Sequence, residues 1–162
     1  MRFYPLSRIL FLLLLSSPAF ADEQTLQLSM DTVWLITAGA LVFFMQAGFA
    51  LLESGMSRAK NAVNVVMKNY MDVCIGSLAF WMIGYGLMFG YNPSGWFGTS
   101  HFFLGDVEAK DYSLLFFQTM FAATAVTIAS GAMAERTRYE AYLIGAIVIS
   151  ALIYPVYGGW VW

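Results

Sequence analysis

The sequence has 162 residues, of which 60% are hydrophobic and only 11% are charged. A soluble domain carries about 25% charged residues and less than about half apolar ones, so this composition excludes an ordinary soluble protein. The formal net charge is −2, which gives no basis for nucleic-acid binding. We therefore predict an all-α integral membrane protein, surrounded by the lipid bilayer.

The residues that carry most enzyme chemistry are nearly absent. Cys74 is the single cysteine and His101 the single histidine. One thiol cannot form an internal disulfide, and an isolated histidine is a poor metal site. There is no Ser/His/Asp set and no phosphate-binding loop. The sequence thus predicts a protein that is not an enzyme and that needs neither a cofactor nor a metal ion.

Residues 1–21 have the pattern of a secretory signal peptide. Arg2 and Arg8 precede a short apolar run, and small residues at Ala19 and Ala21 form a cleavage site after Ala21. An uncleaved anchor is the alternative. Cleavage gives a mature membrane domain, residues 22–162, whose N-terminus is extracytoplasmic.

Four segments are long and apolar enough to cross a bilayer. They are predicted as helices over residues 33–53, 61–89, 113–134 and 139–158. Residues 22–30 are polar, and we expect them to be a loose segment before an N-cap at Asp31. Pro155 is expected to distort the last turn of the fourth helix.

Polar residues mark the second helix. Lys68 and Asp72 are four residues apart, a spacing that favours an ion pair between them. A carboxylate in a membrane helix is also a functional candidate, so this role for Asp72 stays open beside the structural one. Gly86 and Gly90 form a G-x-x-x-G, which is weak support for helix pairing.

Basic residues are distributed unequally between the loops. The two short loops after the first and third helices contain four of them, namely Arg58, Lys60, Arg136 and Arg138, whereas the other mature loops contain only Lys110. The positive-inside rule places those two short loops in the cytoplasm. The predicted protein is a multi-pass protein of the cell (inner or plasma) membrane, with the mature N-terminus outside.

The third helix contains Phe117 and Phe121, four residues apart and therefore on one face. Taken alone, these rings are explained by packing. The chain ends at Trp162 without a polar tail, and polar residues of the four helices lack evident partners. We therefore expect the sequence to be the N-terminal part of a larger transporter.

Four motifs in order resemble the ammonium transporter family (Amt/Mep/Rh). They are QAGFALLESG at residues 46–55 leading to RAKN at 58–61, FQ at 117–118 followed by FA at 121–122, GAMAER at 131–136, and YP at 154–155 leading to WVW at 160–162. The resemblance implies a fold of eleven transmembrane helices with two five-helix halves of inverted topology. It also implies a homotrimer with one pore per subunit, and transport of ammonium or ammonia.

The resemblance further implies an outer site in which aromatic rings hold ammonium by cation–π contact. Phe121 corresponds to the outer gating ring, Phe117 to the ring beside the recruitment site and Trp162 to the tryptophan of that site. Trp160, two residues earlier, is the competing assignment. The hydroxyl of the site and both pore histidines belong to later helices, so this chain alone is not expected to conduct. Gly159 stands where many relatives have histidine.

Two other function classes remain open. One is a membrane ammonium sensor or receptor with a transporter-like domain, and the other is a membrane scaffold that transports nothing. The family resemblance also makes a cytosolic regulator of the PII type a possible partner on the side of the basic loops.

Overall fold

The computed structural model of the protein describes residues 23–105 and 107–162. The described chain is all-helical and has four helices of membrane-spanning length: α1 (Glu23–Met56), α2 (Ala59–Phe89), α3 (Tyr112–Met133) and α4 (Tyr139–Val161). This confirms the predicted fold class and the four apolar helices. The predicted signal peptide lies outside the described residues.

The polar stretch before Asp31 is helical, contrary to the prediction of a loose segment. Helix α1 begins at Glu23, and its first turns are rich in Glu, Gln and Leu, which favour helix. Local hydrogen bonds add support, from Gln27 Nε2 to Asp31 Oδ1 (3.5 Å) and from Ser29 Oγ to the Thr25 carbonyl (2.8 Å). Thr32–Trp162 form a compact unit to which these residues do not belong.

The core of this unit lies between α2, α3 and α4. Its buried cluster consists of Phe80, Tyr85, Met88, Leu115 and Ala122. The Phe80 ring is fully buried and meets the Tyr154 ring edge-on, with 6.0 Å between centroids. Only Gly39, Val42 and Gln46 of α1 are buried. Thus three helices form the packed body, and α1 joins it through a narrow stripe.

Helices α2 and α4 are interrupted by wider, π-helical turns. Two lie in α2, at Asp72–Gly76 and Phe80–Gly84, and one lies in α4, at Ile149–Ile153. The α4 turn immediately precedes the segment that begins with Tyr154 and Pro155. A widened turn accommodates the missing N–H of proline, so the distortion occurs before Pro155 rather than in the last turn.

Glycines let α2 approach its neighbours closely. A Cβ on Gly84 would lie 2.8 Å from the Ser150 carbonyl oxygen, so this glycine permits the α2–α4 crossing. A Cβ on Gly86 or Gly90 would instead meet the carbonyl oxygen of Ser100, at 2.7 and 2.6 Å. The two glycines of the G-x-x-x-G therefore face a loop and not another helix.

Candidate functional site

The structure brings three aromatic rings together where α4 ends beside α3. Phe117 and Phe121 have centroids 4.8 Å apart and planes tilted by 51°. The Trp162 ring meets Phe117 nearly edge-on, at 6.4 Å and 79°. Spacings of 4.5–7 Å are typical of favourable aromatic pairs. We call Phe117, Phe121 and Trp162 the aromatic triplet.

The second tryptophan of the chain end takes no part in the triplet. Trp160 packs against Trp96, with 5.7 Å between centroids, and its indole N–H donates to the Trp96 carbonyl (2.8 Å). Trp162 is therefore the tryptophan that meets Phe117. The role of the triplet in binding ammonium remains a prediction.

The triplet has the chemistry of a partial cage for a small cation. Phe117 and Phe121 are half-buried, and Trp162 is 69% exposed. A cation above these ring faces is attracted by their quadrupoles, and the attraction grows as water is removed. The rings supply no hydrogen-bond acceptor of their own, so a complete site needs oxygen atoms from another element.

Beside the triplet, Gln118 is fully buried and only half satisfied. Its Oε1 accepts a hydrogen bond from the Tyr154 hydroxyl (2.8 Å). Its Nε2 has no partner among the described residues. The sequence analysis identified Tyr154 only as part of a family motif. Nothing in the sequence indicates that its hydroxyl bonds to Gln118, 36 positions earlier.

The buried carboxyl of Asp72 has partners that we did not predict. It accepts from the hydroxyl of Tyr142 at 2.5 Å and from that of Thr127 at 3.2 Å. No ion pair joins Asp72 to Lys68 in the described chain, so the predicted i,i+4 pair is wrong. Lys68 instead donates to the Thr137 carbonyl (3.2 Å), and its Nζ lies 5.0 Å from the centroid of the Tyr142 ring.

A polar network extends from Asp72 to α1. The Thr127 hydroxyl oxygen also lies 2.8 Å from Gln46 Oε1, so Asp72 and Gln46 share its single proton, and Gln46 Nε2 donates to the Thr124 hydroxyl (3.0 Å). These side chains are all buried. Buried polar groups need such partners because an unsatisfied one is costly. The network thus links all four helices and gives Gln46 and Asp72 the partners that seemed to be missing.

The two short basic loops contact each other through Glu135. Its carboxylate accepts from the Asn61 amide (2.9 Å), and from the backbone N–H (2.8 Å) and Nε (3.0 Å) of Arg58. The hydrogen bonds from Asn61 and from the Arg58 backbone hold the pKa of Glu135 below its usual value. The contact connects the α1–α2 loop to the α3–α4 loop.

Comparison with known proteins identifies the family. The model of the Ammonium Transporter Family matches residues 33–162. The chain is 49% identical to "Ammonium transporter Amt2" of Archaeoglobus fulgidus over 164 aligned positions, which cover 95% of this chain and 35% of that protein. It is 41% identical to "Ammonium transporter 3" of Dictyostelium discoideum, with 88% of this chain and 33% of that protein covered.

Solved structures agree with the sequence comparisons. The structure described as "Sensor Amt Protein" superposes with a TM-score of 0.82 at 40% identity, covering 86% of this chain and 35% of that one. Candida albicans Mep2 gives a TM-score of 0.73 at 32% identity, covering 82% and 31%. The chain spans about a third of the length of these relatives. On its sequence and its fold, it belongs to the ammonium transporter family.

Proposed function

We propose that the chain is the N-terminal part of a membrane protein that transports ammonium or ammonia through an apolar pore. The observation that carries this proposal is the aromatic triplet, in which the Phe117 ring is in contact with both Phe121 and Trp162. In this proposal Trp162 and Phe117 recruit the cation at the outer mouth, and Phe121 gates the pore beneath them. The transport involves no enzymatic step.

The rest of the proposed assembly follows the family. Later helices supply the site hydroxyl and the pore histidines and complete an eleven-helix, inverted-repeat fold. The protein is a homotrimer of the cell (inner or plasma) membrane, with the mature N-terminus and the triplet outside. The loops around Arg58 and Arg136 then face the cytoplasm, where a PII-type regulator can reach them.

The test is uptake by the complete product of the gene in cells that lack other ammonium transporters. Trp162→Leu removes one aromatic face from the triplet. A cation–π contact is worth roughly 1–2 kcal/mol, depending on its exposure, so we expect the KM for ammonium to rise about tenfold. Trp34→Leu is the matched control, because Trp34 is 72% exposed, similar to Trp162, and lies on α1.

Phe121→Ala distinguishes a gate from a binding group. Removing a gating ring changes the maximal flux more than the KM. If both Trp162→Leu and Phe121→Ala keep wild-type uptake and selectivity, the three rings of the triplet only pack and neither bind nor gate ammonium. Absence of saturable uptake by the wild-type protein would reject transport itself.

A sensor is the second candidate, favoured by the likeness to the structure described as "Sensor Amt Protein". In that case the triplet would bind ammonium without transporting it, and the signal would pass to cytoplasmic domains. Ammonium binding by the purified protein, together with the absence of uptake in cells, would favour the sensor over the transporter.

A further inference from the structure

Trp160 is held more firmly than a tryptophan that only faces lipid. Its indole N–H is bonded to the Trp96 carbonyl at 2.8 Å, and the two indole rings meet nearly edge-on at 78°. Both rings are more than half exposed. The Trp160–Trp96 contact therefore adds little to the buried core, and its role is to be sought in what it does to the end of α4.

The acceptor of this hydrogen bond belongs to a loop that is tied to α2. The Gly98 N–H donates to the Leu87 carbonyl (2.8 Å), and the Thr99 N–H donates to the Tyr91 carbonyl (2.9 Å). The segment that carries Trp96 is thus fastened to the last turn of α2. We call residues 91–100 the tied loop.

The last turn of α4 is also placed against α2. A Cβ on Gly158 would lie 2.6 Å from Met88 Cε, so only glycine allows this approach without displacing the methionine. The Trp162 N–H donates to the Gly158 carbonyl (2.9 Å), which keeps Trp162 in the same turn. The glycine lets α4 lie against the Met88 side chain of α2, but it leaves rotation of the turn to other contacts.

Trp160 can control that rotation because of helix geometry. Two residues along an α-helix are separated by about 200° around its axis, so neighbouring tryptophans at this spacing point to opposite sides. Trp160 accordingly faces the tied loop while Trp162 faces Phe117. If the Trp160 indole is held in place, the last turn of α4 cannot rotate, and Trp162 keeps its direction toward Phe117.

We propose that Trp160 is a positioning residue for the outer cation site. Through its contact with Trp96 it orients the last turn of α4, so that the Trp162 ring stays against Phe117. This inference rests on the proposed function of the triplet. It also gives the tied loop a role, since the loop carries the carbonyl that receives the Trp160 N–H.

Trp160→Phe tests the proposal because it keeps an aromatic ring on α4 but removes the bonding N–H together with part of the indole ring. We expect the KM for ammonium uptake to rise about fivefold, the effect of losing one hydrogen bond, with the maximal rate per folded protein unchanged. Trp81→Phe is the matched control. Trp81 also makes an edge-on aromatic pair, and its ring partner is Phe103, at 6.2 Å, rather than a residue of the tied loop.

A double variant separates positioning from general damage. If Trp160 acts through Trp162, then Trp160→Phe has no further effect on the KM in a Trp162→Leu background. The same fivefold rise in that background would overturn the proposal, as would an unchanged KM in the single variant. If Trp162→Leu raises the KM and Trp160→Phe does not, the outer site stands and only the positioning role fails.

Hydrogen exchange gives a readout that needs no transport. In the purified protein, the peptide that contains Gly158 and Trp162 is expected to exchange faster in Trp160→Phe than in the wild type or Trp81→Phe. Unchanged exchange overturns the proposal whatever the uptake data show. If Trp160→Phe exchanges faster but Trp162→Leu leaves the KM unchanged, Trp160 does orient Trp162 and the outer site is rejected. Failure of the positioning role and failure of the proposed function therefore give different results.

Discussion

The hydroxyl of Tyr142 is expected to stabilise the protein more than any contact of Lys68 with Asp72. Tyr142 and Asp72 are both fully buried, and 2.5 Å separates the hydroxyl from the carboxyl oxygen. Tyr142→Phe removes a single oxygen and leaves the carboxyl with Thr127 alone. Depriving a buried polar group of a partner costs roughly 1–3 kcal/mol, so we expect a loss of about 2 kcal/mol in the free energy of unfolding.

A double-mutant cycle identifies the partner of Asp72 directly. Asp72→Asn combined with Tyr142→Phe is expected to show a coupling energy of about 1–2 kcal/mol, because the two side chains touch. Asp72→Asn combined with Lys68→Met is expected to show less than about 0.5 kcal/mol, because Lys68 is bonded elsewhere. Both cycles replace the same Asp72 carboxyl, so the free-energy effect of that replacement alone is common to them and does not affect the comparison.

The measurement is denaturant unfolding of the purified protein in detergent micelles, followed by tryptophan fluorescence. Tyr157→Phe is the control, since it makes the same chemical change on α4 at a side chain that is 64% exposed. The reasoning is refuted if Tyr142→Phe is no more destabilising than Tyr157→Phe. It is refuted equally if Asp72 couples more strongly to Lys68 than to Tyr142.

Two further predictions concern the two sides of the membrane. A cysteine at Ser100 is expected to react with an impermeant maleimide on intact cells or spheroplasts, and labelling only after lysis would reverse the proposed orientation. Glu135 has a lowered pKa in the folded state, so its stabilising contacts are complete above its unfolded pKa of about 4.3 and are lost as the pH falls through the folded value. The difference in thermal midpoint between the wild type and Glu135→Gln should therefore stay constant from about pH 8 to about pH 5 and shrink below about pH 4. A difference that instead grows below pH 4 would contradict this assignment.

The sequence was informative where structure depends on short spacings. Runs of apolar residues predicted four spanning helices, and a spacing of four placed Phe117 and Phe121 on one face, where their rings now lie in contact. Both inferences need only the geometry of a single helix. The contact of Trp162 with Phe117 joins residues 45 positions apart, and its prediction needed the family motif as well as the expectation that the third and fourth helices pack together.

Spacing misled us at Asp72, for a physical reason. An i,i+4 pair forms when both side chains are free to turn toward each other on an exposed helix face. Here α2 is packed against its neighbours, so Lys68 reaches the Thr137 carbonyl while Asp72 meets the hydroxyls of α3 and α4. A π-helical turn also begins at Asp72 and changes the direction of the side chains that follow.

The same kind of irregularity determines which tryptophan reaches the aromatic triplet. A π turn accommodates one more residue than an α turn, and each residue added rotates the rest of the helix by about 100°. The π turn at Ile149–Ile153 lies between the start of α4 and its two tryptophans. Without it, the directions of Trp160 and Trp162 relative to α2 and α3 would both change. Pro155 is the only sign of this turn in the sequence, and it indicates a distortion without giving its form. Assigning the tryptophan of the site therefore requires the path of the α4 backbone as well as the order of the motif.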